Sequence, residues 1–84
     1  MDYVELLGLS AGIITTSAWI PQVVRAFRTR STKDLSFGLL GIVFIGAILW
    51  LIYGLLISSL PISLSNAAIL ILSGILLGLK LKYG

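Results

Sequence analysis

Cysteine and histidine are both missing from this chain of 84 residues, which holds only two prolines and three acidic residues. The lack of cysteine excludes a disulfide framework, although it says nothing about the redox compartment. The lack of histidine removes the commonest metal ligand and general base. Charge is also missing from two long segments, Leu6 to Val24 and Leu35 to Leu79. These segments cannot supply the polar surface that a small water-soluble domain needs.

Hydrophobic residues make up 58% of the chain, and the mean hydropathy is +1.13. A helix needs roughly 20 apolar residues to cross about 30 Å of hydrocarbon. The first uncharged segment is long enough for one such helix, and the second is long enough for two that meet at Ser58-Ser59-Leu60-Pro61. The sequence therefore predicts an all-α integral membrane protein. We expect a single three-helix bundle over residues 1–84, with helices at about 3–27, 35–57 and 61–81.

The basic residues fall into two groups relative to these spans. Four lie between the first and second spans and two follow the third: Arg25, Arg28, Arg30 and Lys33, then Lys80 and Lys82. Cationic loops stay on the cytoplasmic side of a membrane, so both groups predict an external N-terminus and a cytoplasmic C-terminus. The net charge of +3 therefore does not indicate a nucleic-acid partner. The basic loop is equally compatible with a patch for anionic lipids.

The first segment lacks a cationic start and runs on to Pro21-Gln22 and then to basic residues. We therefore expect a retained helix and not a cleaved signal peptide. Gly8 and Gly12 are four residues apart in it, which would let another helix approach closely. In the following loop, Ser31-Thr32 and either Asp34 or Ser36 can cap the second helix. Pro61 suits the first turn of the third.

Ionisable side chains are missing from the predicted spans. No carboxylate, lysine, histidine or cysteine is available there as an acid, a base, a nucleophile or a metal ligand. An enzyme is therefore not expected, and neither is a cofactor or a metal site. Proton-coupled transport is also disfavoured, because it normally uses an ionisable group at membrane depth.

Two neutral polar residues stand out at membrane depth. From the helical rise, Trp50 lies roughly 4 Å outward of the midplane and Asn66 roughly 7 Å outward, on different helices. An indole face stacks on the apolar face of a sugar ring, and an amide both donates to and accepts from hydroxyls. The pair therefore predicts a pocket for a neutral polyol. The alternatives are a packing tryptophan and an asparagine that bonds a neighbouring helix.

Tyr53 lies one turn after Trp50, so both share one helix face with Gly46. Tyr53 is closer to the outer surface, where its ring would narrow the entrance to the pocket. The alternative is a tyrosine of the aromatic belt at the membrane interface.

Pro21 with Gln22 is the sharpest local feature of the first span. A proline inside a helix removes one backbone hydrogen bond and introduces a bend. The bend would lie in the cytoplasmic third of the helix, away from the pocket, where it can open or close the inner end. A purely structural kink is the alternative.

Taken together, these residues resemble the PQ-loop pattern of the SemiSWEETs, the bacterial half-size relatives of the SWEET sugar transporters. The resemblance covers essentially the whole chain and is carried by four elements: Trp19-Ile20-Pro21-Gln22, Ser31-Thr32-Lys33-Asp34-Leu35-Ser36, Trp50 with Tyr53-Gly54, and Asn66-Ala67. It implies a three-helix bundle in spatial order 1-3-2, a parallel homodimer and a bacterial inner membrane. The substrate it implies is a sugar of the glucose or sucrose class.

The resemblance also implies roles for single residues. Trp50 and Asn66 match the sugar-binding pair, Pro21 matches a hinge that Gln22 accompanies, and Tyr53 matches an outer gate. An arginine and an acid that often form an ion pair near the outer end of helix two are replaced by Ile57 and Ser59. Outward closure would then rest mainly on aromatic packing by Tyr53.

We therefore expect a homodimeric sugar uniporter that works by alternating access. Three helices cannot enclose a path for a sugar, and the chain has no internal second copy, so a dimer is also expected on physical grounds. Three other functions stay open: a small non-transporting subunit that binds larger partners through its glycine faces, a transporter of another small neutral solute, and a multidrug-type exporter. The missing intramembrane carboxylate disfavours the exporter.

Overall fold

A computed structural model of the protein describes residues 2–33 and 35–83. It contains four helices: α1 Tyr3–Ser17, α2 Trp19–Thr29, α3 Phe37–Leu56 and α4 Leu60–Tyr83. Three stretches of these residues are long and apolar enough to cross a membrane: Tyr3–Thr29, which joins α1 and α2, then α3 and α4. Their ends lie within two residues of the predicted ones, and the three-span all-α fold is confirmed.

The first span is interrupted at Ala18, three residues before Pro21. Proline has no N–H to donate to the carbonyl four residues earlier, which here belongs to Ser17. Pro21 becomes the third residue of α2, where a helix has no N–H partner in any case. The N–H of Ala18 donates to the carbonyl of Thr15, three residues earlier, at 3.3 Å, and not to the carbonyl four residues earlier as in a regular α-helix. The helix is therefore interrupted at Ala18, and the bend predicted at Pro21 stays a prediction.

Short polar side chains cap the N-termini of the spans. The carboxylate of Asp2 accepts from the N–H of Glu5 at 2.7 Å, and Oγ of Ser36 accepts from the N–H of Leu39 at 3.2 Å. Ser36 is thus the cap of the second span, and the other candidate, Asp34, lies outside the described residues. Oγ of Ser59 accepts from the N–H of Ile62 at 3.4 Å at the start of α4.

The third span packs between the other two. Helix α4 contacts α1, α2 and α3, whereas in the described ranges no Cα atom of α3 lies within 8 Å of one in α1 or α2. Glycine permits this close packing, because a Cβ on Gly12 would lie 2.8 Å from Cβ of Ser65, and one on Gly54 would lie 2.7 Å from Cγ2 of Ile62. The spatial order 1-3-2 is therefore confirmed.

The two ends of the bundle differ in packing. We call the end with the α2–α3 loop the inner end and the end with the α3–α4 turn the outer end. The main buried apolar cluster joins α2, α3 and the second half of α4: Ala26, Leu40, Leu76 and Leu79. Helix α1, in contrast, contains no buried residue. The main apolar cluster therefore lies in the inner part of the bundle, whereas α1 packs on α4 through Gly8 and Gly12.

Candidate functional site

A concavity of about 340 Å³ opens between α1, α3 and α4. It is lined by Gly8, Ala11, Gly12, Thr15, Trp50, Pro61, Ile62, Ser65, Asn66 and Ile69. Trp50 and Asn66, which were expected at similar depth on different helices, therefore line one space. This lining contains no charged side chain, so its only polar groups are hydroxyls, an amide, an indole N–H and the backbone.

The amide of Asn66 is partly satisfied by its own helix. Its Nδ2 donates to the carbonyl oxygen of Ile62 at 2.9 Å. This bond lowers the cost of placing an amide in hydrocarbon, which reaches roughly 4–8 kcal/mol for an unpaired group. It also fixes the orientation of the amide. Oδ1 takes part in none of the hydrogen bonds of the described residues and stays available as an acceptor.

Trp50 and Tyr53 form an aromatic pair on the exposed face of α3. The ring centroids are 5.6 Å apart and the planes meet at 84°, an edge-to-face arrangement. The side chains are 55% and 49% exposed in the single chain. A Cβ placed on Gly46, on the same stripe, would meet no atom within 4 Å. This face of α3 is therefore uncovered in the single chain.

Sequence reasoning missed two polar residues of the concavity, Thr15 on α1 and Ser65 on α4. Oγ of Ser65 donates to the carbonyl of Pro61, so that hydroxyl proton is already used. No hydrogen bond of the described residues uses Oγ1 of Thr15. A usable signal was present, because Gly8, Gly12 and Thr15 follow the i, i+4, i+7 spacing of one helix face.

Pro21 and Gln22 do not line this concavity. Pro21 borders a surface groove with Arg25 and Arg28, and Gln22 lines a separate polar concavity of about 200 Å³ with Arg25 and Thr32. Both lie on α2, on the inner side of the break at Ala18. The structure thus separates the two predicted groups, with Trp50, Asn66 and Tyr53 on one side of the break and Pro21-Gln22 on the other.

A hydrogen bond ties the α2–α3 loop to the end of the third span. Nζ of Lys80 donates to the backbone carbonyl of Thr32 at 2.9 Å, and the N–H of Leu35 donates to the same oxygen at 3.0 Å. Thr32 is 1% exposed, and its own hydroxyl is buried without a partner. Within residues 2–33 and 35–83, no group of three acidic, histidine or cysteine side chains is placed to hold a metal ion.

Comparison with known proteins gives one consistent family. The family model of the PQ loop repeat matches residues 3–63. The sugar transporter SemiSWEET of Bradyrhizobium diazoefficiens is 42% identical over 81 residues, which cover 96% of this chain and 94% of that protein.

Two solved structures are also similar to this chain. A crystal structure of a bacterial homologue of SWEET transporters matches with a TM-score of 0.93 and 41% identity, over 99% of this chain and 100% of the other. A crystal structure of SemiSWEET in the inward-open conformation matches with a TM-score of 0.88 and 33% identity, over 98% of this chain and 88% of the other.

Proposed function

This chain belongs to the PQ-loop family, with SemiSWEET sugar transporters among its relatives, and on that premise we propose that it is a sugar uniporter. The observation that carries the proposal is the neutral concavity in which Trp50 and Asn66 meet. Uncharged spans fit a neutral substrate. They also supply no group for proton coupling or for catalysis, so the proposal includes neither an enzymatic activity nor a cofactor.

In this proposal Trp50 and Asn66 bind the sugar. The indole offers a flat face for the C–H groups of the ring, and Oδ1 of Asn66 accepts from a sugar hydroxyl. One Nδ2 proton is used by Ile62, so the oriented amide offers Oδ1 as an acceptor and its second Nδ2 proton as a donor. We assign the substrate to the glucose or sucrose class, since both present many hydroxyl donors to such a group.

The proposed working unit is a parallel homodimer. The concavity is open on one side, and the exposed aromatic pair on α3 leaves a large apolar face without cover in the single chain. A second copy related by an axis along the membrane normal would close the space and supply Trp50 and Asn66 a second time. Parallel repeats related in this way are one of the recurring architectures of transporters, and SWEETs are among them.

Alternating access is proposed to use the break in the first span. Helix α1 packs on α4 and lies outside the inner apolar cluster, whereas α2 takes part in it, so in this proposal the two change their relative angle at Ala18. Pro21 maintains the break and Gln22 moves with α2. At the outer end Tyr53 closes the path by packing. Ile57 and Ser59 are uncharged and cannot form an ion pair there, and Ser59 is used as a helix cap.

The placement of the basic residues supports the orientation proposed for the chain. The inner end holds α2, its basic loop and the lysines in the last turn of α4, and the outer end holds Glu5 in the first turn of α1. We propose that the inner end faces the cytoplasm of a bacterial cell, that the membrane is the inner membrane, and that the N-terminus lies outside.

Counterflow of labelled glucose and sucrose into liposomes that contain only this protein tests the proposal, with and without a pH gradient. Flux of at least one sugar, unchanged by the pH gradient, is the expected result. Flux that follows the pH gradient would replace uniport with proton coupling. No flux of either sugar, together with a stable complex with other proteins on extraction, would favour the non-transporting subunit.

A further inference from the structure

We infer that Thr15 is a third sugar-binding residue and that it links the occupied site to the break in the first span. This inference rests on the proposed function and deepens it. No element of the family resemblance points to Thr15, which becomes visible only when α1 is packed on α4. Its ligand is a hydroxyl group on the inward-facing side of the sugar.

Thr15 lies at the inner end of the concavity. From the midpoint of each span and a rise of 1.5 Å per residue, Thr15 is roughly 1.5 Å outward of the centre, Trp50 roughly 5 Å and Asn66 roughly 8 Å. Gly8 and Gly12 line the same wall farther out, and neither has a side chain that would fill it. A sugar held by Trp50 and Asn66 therefore has the hydroxyl of Thr15 beneath it.

The hydroxyl of Thr15 is uncommitted, which separates it from the hydroxyl of Ser65 in the same lining. Ser65 donates its hydroxyl proton to Pro61, and Asn66 donates one of its two Nδ2 protons to Ile62, both within α4. Thr15 is exposed in the single chain, and in the described residues its Oγ1 has no hydrogen-bond partner. A free hydroxyl donates one bond and accepts two, which suits either role of a sugar hydroxyl.

Thr15 also takes part in the break itself. Its carbonyl accepts the bond from the N–H of Ala18 at 3.3 Å, at the point where the regular pattern of α1 stops. A sugar bound to the side chain of Thr15 therefore holds the last turn of α1 toward Trp50 and Asn66. When the sugar leaves, the Thr15 hydroxyl loses this hydrogen bond, and the last turn of α1 is no longer linked through the sugar to Trp50 and Asn66. Occupancy of the site thus biases the angle between α1 and α2.

The neighbouring residue provides a matched control. Thr16 lines a groove of about 310 Å³ on the other side of the α1–α4 contact, and most of that lining is apolar. Oγ1 of Thr16 is buried and has no partner among the described residues. Thr15→Val and Thr16→Val therefore make the same chemical change, one residue apart, on two different faces.

The experiment measures the half-saturation concentration for counterflow of whichever sugar the wild type carries. Thr15→Val removes one neutral hydrogen bond, so we expect a roughly three- to tenfold increase. Thr15→Ser keeps the hydroxyl and restores a value close to the wild type. Thr16→Val leaves transport unchanged.

A panel of monodeoxy sugars, used as competitors, identifies the bond directly. One analogue should bind the wild type more weakly than the parent sugar does, but bind Thr15→Val as well as the parent sugar does. The deoxy change and the Thr15→Val change remove the same contact, so their effects are not additive. If Thr15→Val does not reach the membrane, the panel is run on Thr15→Ala instead.

Three outcomes are distinguishable. The inference is supported if Thr15→Val raises the half-saturation concentration and Thr16→Val does not, and if one deoxy analogue competes equally well against the wild type and Thr15→Val. Equal behaviour of Thr15→Val and Thr16→Val, while Asn66→Ala abolishes flux, overturns the inference and leaves the proposed function intact. Absence of flux in the wild type overturns the proposed function, and with it the inference.

Discussion

The ring of Tyr53 meets the ring of Trp50 edge to face, with centroids 5.6 Å apart and planes at 84°. One turn of α3 separates the two residues, so the tyrosine covers the outer edge of the indole. The proposed sugar site and its proposed outer gate therefore share one aromatic contact. A change in the gate residue is expected to alter both access and the orientation of Trp50.

The first prediction concerns closure of the outer end. Tyr53→Ala removes the covering ring, so a membrane-impermeant thiol reagent added to intact cells should modify an Ile69→Cys variant several-fold faster. The chain has no native cysteine, so the introduced thiol is the only one in the purified protein on which labelling is measured. Tyr53→Phe keeps the ring and serves as the control. Equal labelling of the alanine and phenylalanine variants would remove Tyr53 from the gate.

The second prediction concerns the binding pair. Trp50→Ala and Asn66→Ala should each reduce sugar counterflow to background while the dimer stays in the membrane, because one removes the stacking face and the other removes the oriented acceptor. Trp19→Phe is the matched control, since Trp19 packs against the inner apolar cluster and does not line the concavity. Wild-type flux in both alanine variants would contradict the site assignment.

The third prediction concerns the break at Ala18. Pro21→Ala restores an N–H that can donate to the carbonyl of Ser17, so the first span becomes a continuous helix. The helix gains up to about 3 kcal/mol of intrinsic propensity. The maximal counterflow rate should fall while the half-saturation concentration changes little, because the proline lies outside the concavity. An unchanged maximal rate would separate the break from transport.

The fourth prediction concerns helix packing. Gly54→Ala places a methyl group 2.7 Å from Cγ2 of Ile62 and 3.0 Å from the backbone N of Ser63. Overpacking of this kind lowers the free energy of unfolding by about 1–3 kcal/mol. Gly78→Ala is the control, because its Cβ meets no atom within 4 Å and alanine favours the helix by up to about 1 kcal/mol. Thermal unfolding in detergent distinguishes the two, and equal midpoints would contradict the packing account.

The fifth prediction concerns the contact that ties the inner loop to the third span. Lys80→Met removes the donor to the carbonyl of Thr32 and should lower the free energy of unfolding by about 1.5–3 kcal/mol, the range for a hydrogen bond that involves a charged group. Lys82→Met, two residues away, removes a cation–π contact with the ring of Tyr83, the one contact of its ammonium group among the described residues, and should change the free energy of unfolding by less than about 1 kcal/mol. A thermal shift of the same size in both variants would assign no structural role to the Lys80–Thr32 bond.

The sequence predicted the number and extent of the spans because a bilayer imposes a single requirement on every one of them. An uncharged segment of about 20 residues is long enough to cross the hydrocarbon core, where it must form a helix to satisfy its backbone hydrogen bonds. The depth of Trp50 and Asn66 followed from helical rise, which is nearly constant. The order of the three spans, in contrast, came from the family resemblance, since periodicity does not say which helix packs between the others.

The details that were missed depend on contacts between segments. A bend was predicted from Pro21, and the helix is interrupted three residues earlier, at Ala18, because the missing N–H affects its acceptor one turn earlier in the chain. Thr15 looked no different from Thr16 in the sequence, and only the packing of α1 on α4 separates their faces. The bond from Lys80 to Thr32 joins residues 48 positions apart, a distance over which no local pattern carries information.

The described residues cross the membrane three times, and three is an odd number. The start and the end of this unit therefore emerge on opposite surfaces. A short covalent linker between two copies would force them into opposite orientations, so a tandem fusion that keeps them parallel has to add a fourth crossing within the linker. A fusion of one mutated and one native copy in a single chain therefore needs such an extra helix between the two copies.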